Sequence, residues 1–96
     1  MNVNEHLSNK RDEILRIAAT HGAKHLRIFG SVSRGEATDR SDVDILVSLE
    51  PGRSLLDIVA IKQDLEDLLG CKVDVVTEDA VSPYIREQVL KDAVSL

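Results

Sequence analysis

Cysteine is almost missing from this chain of 96 residues, where Cys71 stands alone. An internal disulfide is therefore excluded, and the compartment that suits such usage is a reducing cytosol. Aromatic residues are nearly as scarce: there is no Trp, one Phe (Phe29) and one Tyr (Tyr84). That removes the stacking platforms on which bases of single-stranded nucleic acid are usually held. Nor is there an excess of basic charge, since 12 Lys and Arg face 17 Asp and Glu for a net charge of -5. Binding DNA or RNA along its backbone depends on neutralising phosphates with cations. Nucleic acid is thus not the partner this balance points to, although Lys24, Arg27, Arg34 and Arg40 make a local basic cluster. No apolar run approaches the length of a membrane span. The opening residues Met1 to His6 are polar and lack the basic and apolar regions of a signal peptide. Repeats, low-complexity tracts and linkers are absent as well. What remains, 43% hydrophobic and 30% charged residues, is the composition of a globular chain. The expectation is one cytoplasmic domain spanning residues 1–96, with no membrane attachment.

What is present is an alternation of helical and strand patterns. Residues 8–21 carry Ile14, Ile17 and Ala18 on one helical face, with Gly22 placed as a stop. Lys24 to Phe29 reads as a strand, Leu26 and Ile28 alternating against Arg27 and Phe29. Gly30 ends it, and Ser31 can cap a short helix. Val43 to Leu49 is a second strand, apolar enough to be mostly buried. Pro51-Gly52 marks a turn. Ser54 opens a helix as its cap, with Asp57 at the capping-box position. Leu55, Ile58, Ile61, Leu65 and Leu68 then follow at spacings of three and four up to Gly70. Lys72 to Val76 is a third strand. Ser82-Pro83 begins a last helix, whose predicted buried face is Ile85, Val89 and Ala93. The order α-β-α-β-α-β-α describes an α/β domain, a small mixed sheet with flanking helices, whose strand order cannot be read from the pattern.

The chemistry sits in Gly30-Ser31, followed by Asp42-Val43-Asp44. Side chains two apart on a strand share a face, so Asp42 and Asp44 project together and repel unless a cation lies between them. Magnesium suits such a site, because it takes hard oxygen ligands and accepts a few carboxylates together with substrate phosphates; manganese accepts the same donors. Asp74 interrupts an otherwise apolar strand and is the candidate third acid, provided that strand lies beside the second. Taken singly, a Gly-Ser step is a turn, an Asp-x-Asp is a solvated loop, and Asp74 is a charge guarding a sheet edge. Arg34 alone would be a surface partner for Glu36 or Asp39. His6, His21 and His25 lack metal-ligand spacing and read as surface residues, while Cys71 reads as a small buried group. In conjunction the acids describe nucleotidyl transfer assisted by two metal ions, one on the triphosphate and one on the attacking hydroxyl. Asp74 would bind the second ion and help take the hydroxyl proton. Gly30 would let the backbone approach phosphates, Ser31 and neighbouring N–H groups would cradle them, and Arg34 would offset leaving-group charge.

These residues resemble the nucleotidyltransferase superfamily typified by DNA polymerase β, whose motif is Gly-Ser, a spacer, Asp-x-Asp and a later acid. Here the matching residues are Gly30, Ser31, Asp42, Asp44 and Asp74. The closer likeness is to the minimal nucleotidyltransferases, single-domain proteins of about this length, and it covers nearly the whole chain, from Leu26 to Val94. That resemblance implies an antitoxin paired with a HEPN-domain toxin, usually an RNase, in a type VII-like system. Such antitoxins are protein adenylyltransferases that transfer AMP from ATP, with magnesium, to a tyrosine of the toxin. By the same likeness Asp42, Asp44 and Asp74 are metal ligands, and Gly30, Ser31 and Arg34 contact ATP. Two other readings stay open. One is a non-catalytic antitoxin that occludes its toxin through apolar residues left over on the last helix, such as Tyr84, Leu90 and Val94. The other is nucleotide transfer to RNA or to a small molecule.

Overall fold

The computed structural model of the chain describes residues 7–30 and 42–96. A helical turn at residues 7–9 buries Leu7 and precedes α1, Arg11–Thr20, which buries Ile14 and Ala18 four residues apart. Strand β1, Ala23–Phe29, follows and ends at Gly30, which has φ +74°. Strand β2 spans Val43–Leu49, and α2 spans Leu55–Leu69. Strand β3, Val73–Thr77, leads through a 3-10 turn, Glu78–Ala80, into α3, Pro83–Asp92, and the short strand β4, Val94–Ser95. The helix expected after Ser31 lies outside the described residues.

The sheet has the order β3-β2-β1-β4. It is mixed: β1 runs antiparallel to β2 and to β4, whereas β2 and β3 run parallel. The α2 helix makes the crossover that a parallel pair requires. The ladder between β1 and β2 slips between Lys24 and Arg27, and there His25 takes φ 52°. Alternation divides the sheet into two faces. Leu26 and Ile28, Val43, Ile45 and Val47, and Val73 and Val75 share one core with Ile14 and Ala18 of α1 and Ile61, Leu65 and Leu69 of α2. Leu46, equally buried, stands outside that cluster on the opposite face, and α3 contacts β1. Cys71 is half-buried and packs against the main core.

Local sequence dictates the ends of α2. The Ser54 hydroxyl accepts from the Leu56 N–H at 3.2 Å, and Asp57 Oδ2 accepts from the Ser54 N–H at 3.0 Å, which completes the capping box. At the other end Gly70 adopts φ 71° and donates to the Glu66 carbonyl at 2.8 Å. Replacing Ser54 by Ala should cost about 1 kcal/mol, read as a lowered urea midpoint with an unchanged slope. Asp57→Ala, which removes the reciprocal half of the box, should cost less.

The head of α2 is uncovered, and one expectation of burial, on the last helix, needs correcting. Leu55 is 80% exposed although it heads the apolar run of α2. At 100° per residue it stands roughly 80° around the helix from Leu65, so a spacing of threes and fours drifts off the buried stripe. On α3 only Val89 is buried, and Ile85 is 55% exposed. The sheet element against which α3 packs is β1, so a single turn of the helix is covered. Among the described residues no helix is long and apolar enough to cross a membrane.

Candidate active site

The parallel pairing of β2 and β3 sets Asp44 in register with Asp74. Registered residues of neighbouring strands share a face about 4.8 Å apart, and this face is the one opposite the main core. Asp44 is half-buried and Asp74 exposed. On the other side of Asp44 its register partner in β1 is Phe29, followed directly by Gly30. A Cβ added at Gly30 would meet Asp44 Oδ2 closer than real Cβ atoms come to anything, and would lie 3.2 Å from Asp44 Cγ. The end of β1 therefore needs glycine twice over, once for its positive φ and once because the carboxylate occupies the space a side chain would take. Asp42 is exposed and stands one residue ahead of β2.

Sheet order thus brings together three of the sequence-derived site residues, Gly30, Asp44 and Asp74. Asp42 joins them at the same end of β2. Among the described residues no three His, Cys, Asp or Glu side chains form a group that could hold a metal ion. Ser31 and Arg34 lie outside the described residues.

The structure adds neighbours that pattern reading missed. Lys62 on α2 reaches the start of β3, where its Nζ donates to the Val73 carbonyl at 3.0 Å and to Glu66 Oε2 at 2.8 Å. The Val73 N–H in turn donates to Glu66 Oε2 at 3.1 Å. The hydrogen bond to Glu66 holds the Lys62 ammonium above its ordinary pKa, and the negative charges of Glu66, Asp74 and Asp42 add to this. Glu66 is held below the usual carboxylate range, first by Lys62 and then by the Val73 amide. The Cys71 thiol is pushed up by burial, with the Asp42 and Glu66 charges contributing. The available signal for the Lys62–Glu66 pair was its i, i+4 spacing on a helix. One rung along the acid-bearing face, Arg27 pairs through Nη2 with Glu78, and its Nε is buried with no hydrogen-bond partner among the described residues. His21, read as a surface residue, is instead half-buried and its Nε2 lies 3.1 Å from Asp64 Oδ2.

A hard-oxygen pair on one face, a tight glycine turn pressed against one of its members and a parallel β-α-β crossover beneath them make a surface whose donors suit a divalent cation and phosphate oxygens. Residues 11–96 match the nucleotidyltransferase domain family. The chain belongs to that family and is a nucleotidyltransferase. A relative from Methanocaldococcus jannaschii, provisionally named protein adenylyltransferase MJ0435, is 42% identical over 96 residues, covering 100% of this chain and 99% of its own. Protein adenylyltransferase MntA of Thermococcus cleftensis is 42% identical over 73 residues, 76% of this chain and 74% of that one. Among solved structures, one described provisionally as a minimal nucleotidyltransferase has a TM-score of 0.88 at 48% identity, covering 100% of this chain and 97% of that chain. A mutant form of the MntA–HpeT toxin–antitoxin complex has a TM-score of 0.73 at 25% identity, with 90% of this chain and 70% of that chain covered. The expected minimal nucleotidyltransferase fold, a small mixed sheet with flanking helices, is the one observed. It carries an additional edge strand, β4, that the sequence pattern did not reveal.

Proposed function

We propose that this chain is the antitoxin of a toxin–antitoxin pair and works as a protein adenylyltransferase, moving AMP from ATP to a tyrosine of a HEPN-domain toxin. The observation that carries the reading is the registered pair Asp44 and Asp74 beside Gly30. The relatives add support: two of them bear the name protein adenylyltransferase, and MntA occurs in a toxin–antitoxin complex. The transfer forms a bond between the tyrosine oxygen and the α-phosphorus, breaks the bond to the β-phosphate and releases pyrophosphate. Divalent magnesium fits the donor set, because every candidate ligand is a carboxylate oxygen and a registered pair of carboxylates favours a cation between them. The registered pair Asp44 and Asp74, with Asp42 at the same end of β2, would hold two ions by closing around them, since the three carboxylates do not form a metal-sized group in their present positions. When bound, magnesium supplies charge neutralisation of the phosphates and a more acidic acceptor hydroxyl.

The chain's own residues do the rest. Asp74, the more exposed of the registered pair, faces the solvent from which an acceptor hydroxyl arrives and takes its proton. Gly30 lets backbone come close to the phosphates, while Ser31 and Arg34 contact them. Tyr84 at 97% exposure, Leu90 at 39% and Val94 at 54% offer apolar surface to the toxin, as a purely occluding antitoxin would also need.

Incubating the chain with the product of its neighbouring gene, ATP and magnesium should add AMP to that protein, seen by intact mass spectrometry. The Asp42→Ala plus Asp44→Ala variant should add none. A toxin neutralised equally well by that variant in cells would mark occlusion as sufficient, and label transferred to tRNA or an aminoglycoside instead would redirect the acceptor.

A further inference from the structure

We propose that Lys62 and Glu66 are positioning residues for Asp74, holding the start of β3 so that its carboxylate stays in register with that of Asp44. The inference rests on the metal-assisted transfer proposed above. Strand β3 is an outer strand of the sheet. On its inner side the Val43 N–H donates to the Lys72 carbonyl at 3.0 Å. In a parallel ladder the next residue turns its peptide groups the other way, so Val73 presents its N–H and carbonyl to the open edge. Both are taken up by α2. Lys62 Nζ reaches the carbonyl at 3.0 Å, Glu66 Oε2 receives the N–H at 3.1 Å, and the two side chains join at 2.8 Å.

Two bonds thus close on one residue, a third ties their side chains together, and the set stands in for the strand that is missing there. A surface i, i+4 pair without a further partner would do nothing of the kind. The residue so held is the one before Asp74, and its own register partner is Val43, which separates Asp42 from Asp44. Edge strands fray locally where their outward peptide groups are left to water. A metal-binding carboxylate has little tolerance for that movement, since its orientation depends on supporting bonds behind it. The side chains of Lys62 and Glu66 are 39% and 29% exposed, so the clamp is partly shielded from competing solvent.

The test follows Mn2+ binding by electron paramagnetic resonance in the presence of a non-hydrolysable ATP analogue, together with amide exchange at Val73. Lys62→Met and Glu66→Met should each weaken Mn2+ binding by about tenfold. Lys62→Arg, which can still donate to both partners, should restore most of the affinity. Exchange at the Val73 amide should accelerate in Glu66→Met. In AMP transfer the same variants should raise the apparent KM for metal and also lower kcat, because Asp74 takes the acceptor proton as well, and Lys62→Arg should recover both. Faster Val73 exchange with unchanged Mn2+ affinity would overturn the proposal, leaving the clamp as edge protection alone. If Glu66→Met does not fold, Glu66→Gln carries the test, because its amide oxygen can still accept from Val73 while the ion pair is lost. A loss of affinity smaller than that of Lys62→Met supports the proposal, and wild-type affinity overturns it. Wild-type protein that binds no Mn2+ with the analogue would instead overturn the reading of function beneath it.

Discussion

Asp44→Asn should abolish AMP transfer while leaving the fold in place. Asp44 is half-buried on β2 between Phe29 and Asp74, and its amide counterpart fills the same volume. What disappears is the charge. A divalent ion contributes several kcal/mol of charge stabilisation in a transition state, so losing about 4 kcal/mol of it lowers the rate by roughly three orders of magnitude. Asp74→Asn should cost about 10²–10⁴, the range for a group that moves a proton. A second readout separates lost chemistry from lost binding. Ligand binding to the native state stabilises it by RT ln(1 + [L]/Kd), about 1.4 kcal/mol at tenfold excess. In a domain of this size that corresponds to a Tm rise of about 6–11 °C. Wild-type protein should show this rise with Mn2+ and a non-hydrolysable ATP analogue, and Asp44→Asn should show under about 2 °C. An equal rise in both would mean that Asp44 takes no part in holding the metal.

The distance between what sequence showed and what the fold added follows from how local each signal is. The Ser54 cap, the Asp57 capping box and the Gly70 stop of α2 depend on neighbours within four residues, and all three were legible. So were the bounds of β2, where the apolar run has turn residues close behind it. Ile85 was misplaced because periodicity gives a stripe but not the part of it that meets the sheet. Strand β4 was invisible, since two residues make a strand only by pairing with Arg27 and Ile28 of β1. For the site, the residue types and the spacing of Asp42 and Asp44 were plain. Their relation to Asp74 was conditional on strand order, a tertiary fact, and only the pairing of β2 with β3 supplies it. Lys62 and Glu66 escaped because a Lys–Glu pair on a helix ordinarily signals a solvated face. Here that face lies along a sheet edge.

Gly30→Ala should damage both fold and activity, and the cause can be separated into two parts. The first is conformational: φ +74° is left-handed backbone, where an L residue costs about 1–2 kcal/mol. The second is the carboxylate of Asp44, which stands where the new Cβ must go. Its backbone sits in the middle of a hydrogen-bonded sheet and cannot retreat, so its side chain must rotate away from the position proposed to serve the metal. Activity should fall with stability, by about a hundredfold or more, the cost of misplacing reacting groups by an ångström. A double-mutant cycle isolates the second part. In an Asp44→Ala background there is no carboxylate to strike, so Gly30→Ala should cost only the backbone term there. In the wild-type background it should cost clearly more, by at least about 1 kcal/mol of coupling, measured by urea unfolding with the slope checked for constancy. Equal costs in the two backgrounds would show that the glycine serves the turn alone and that Asp44 is free of it.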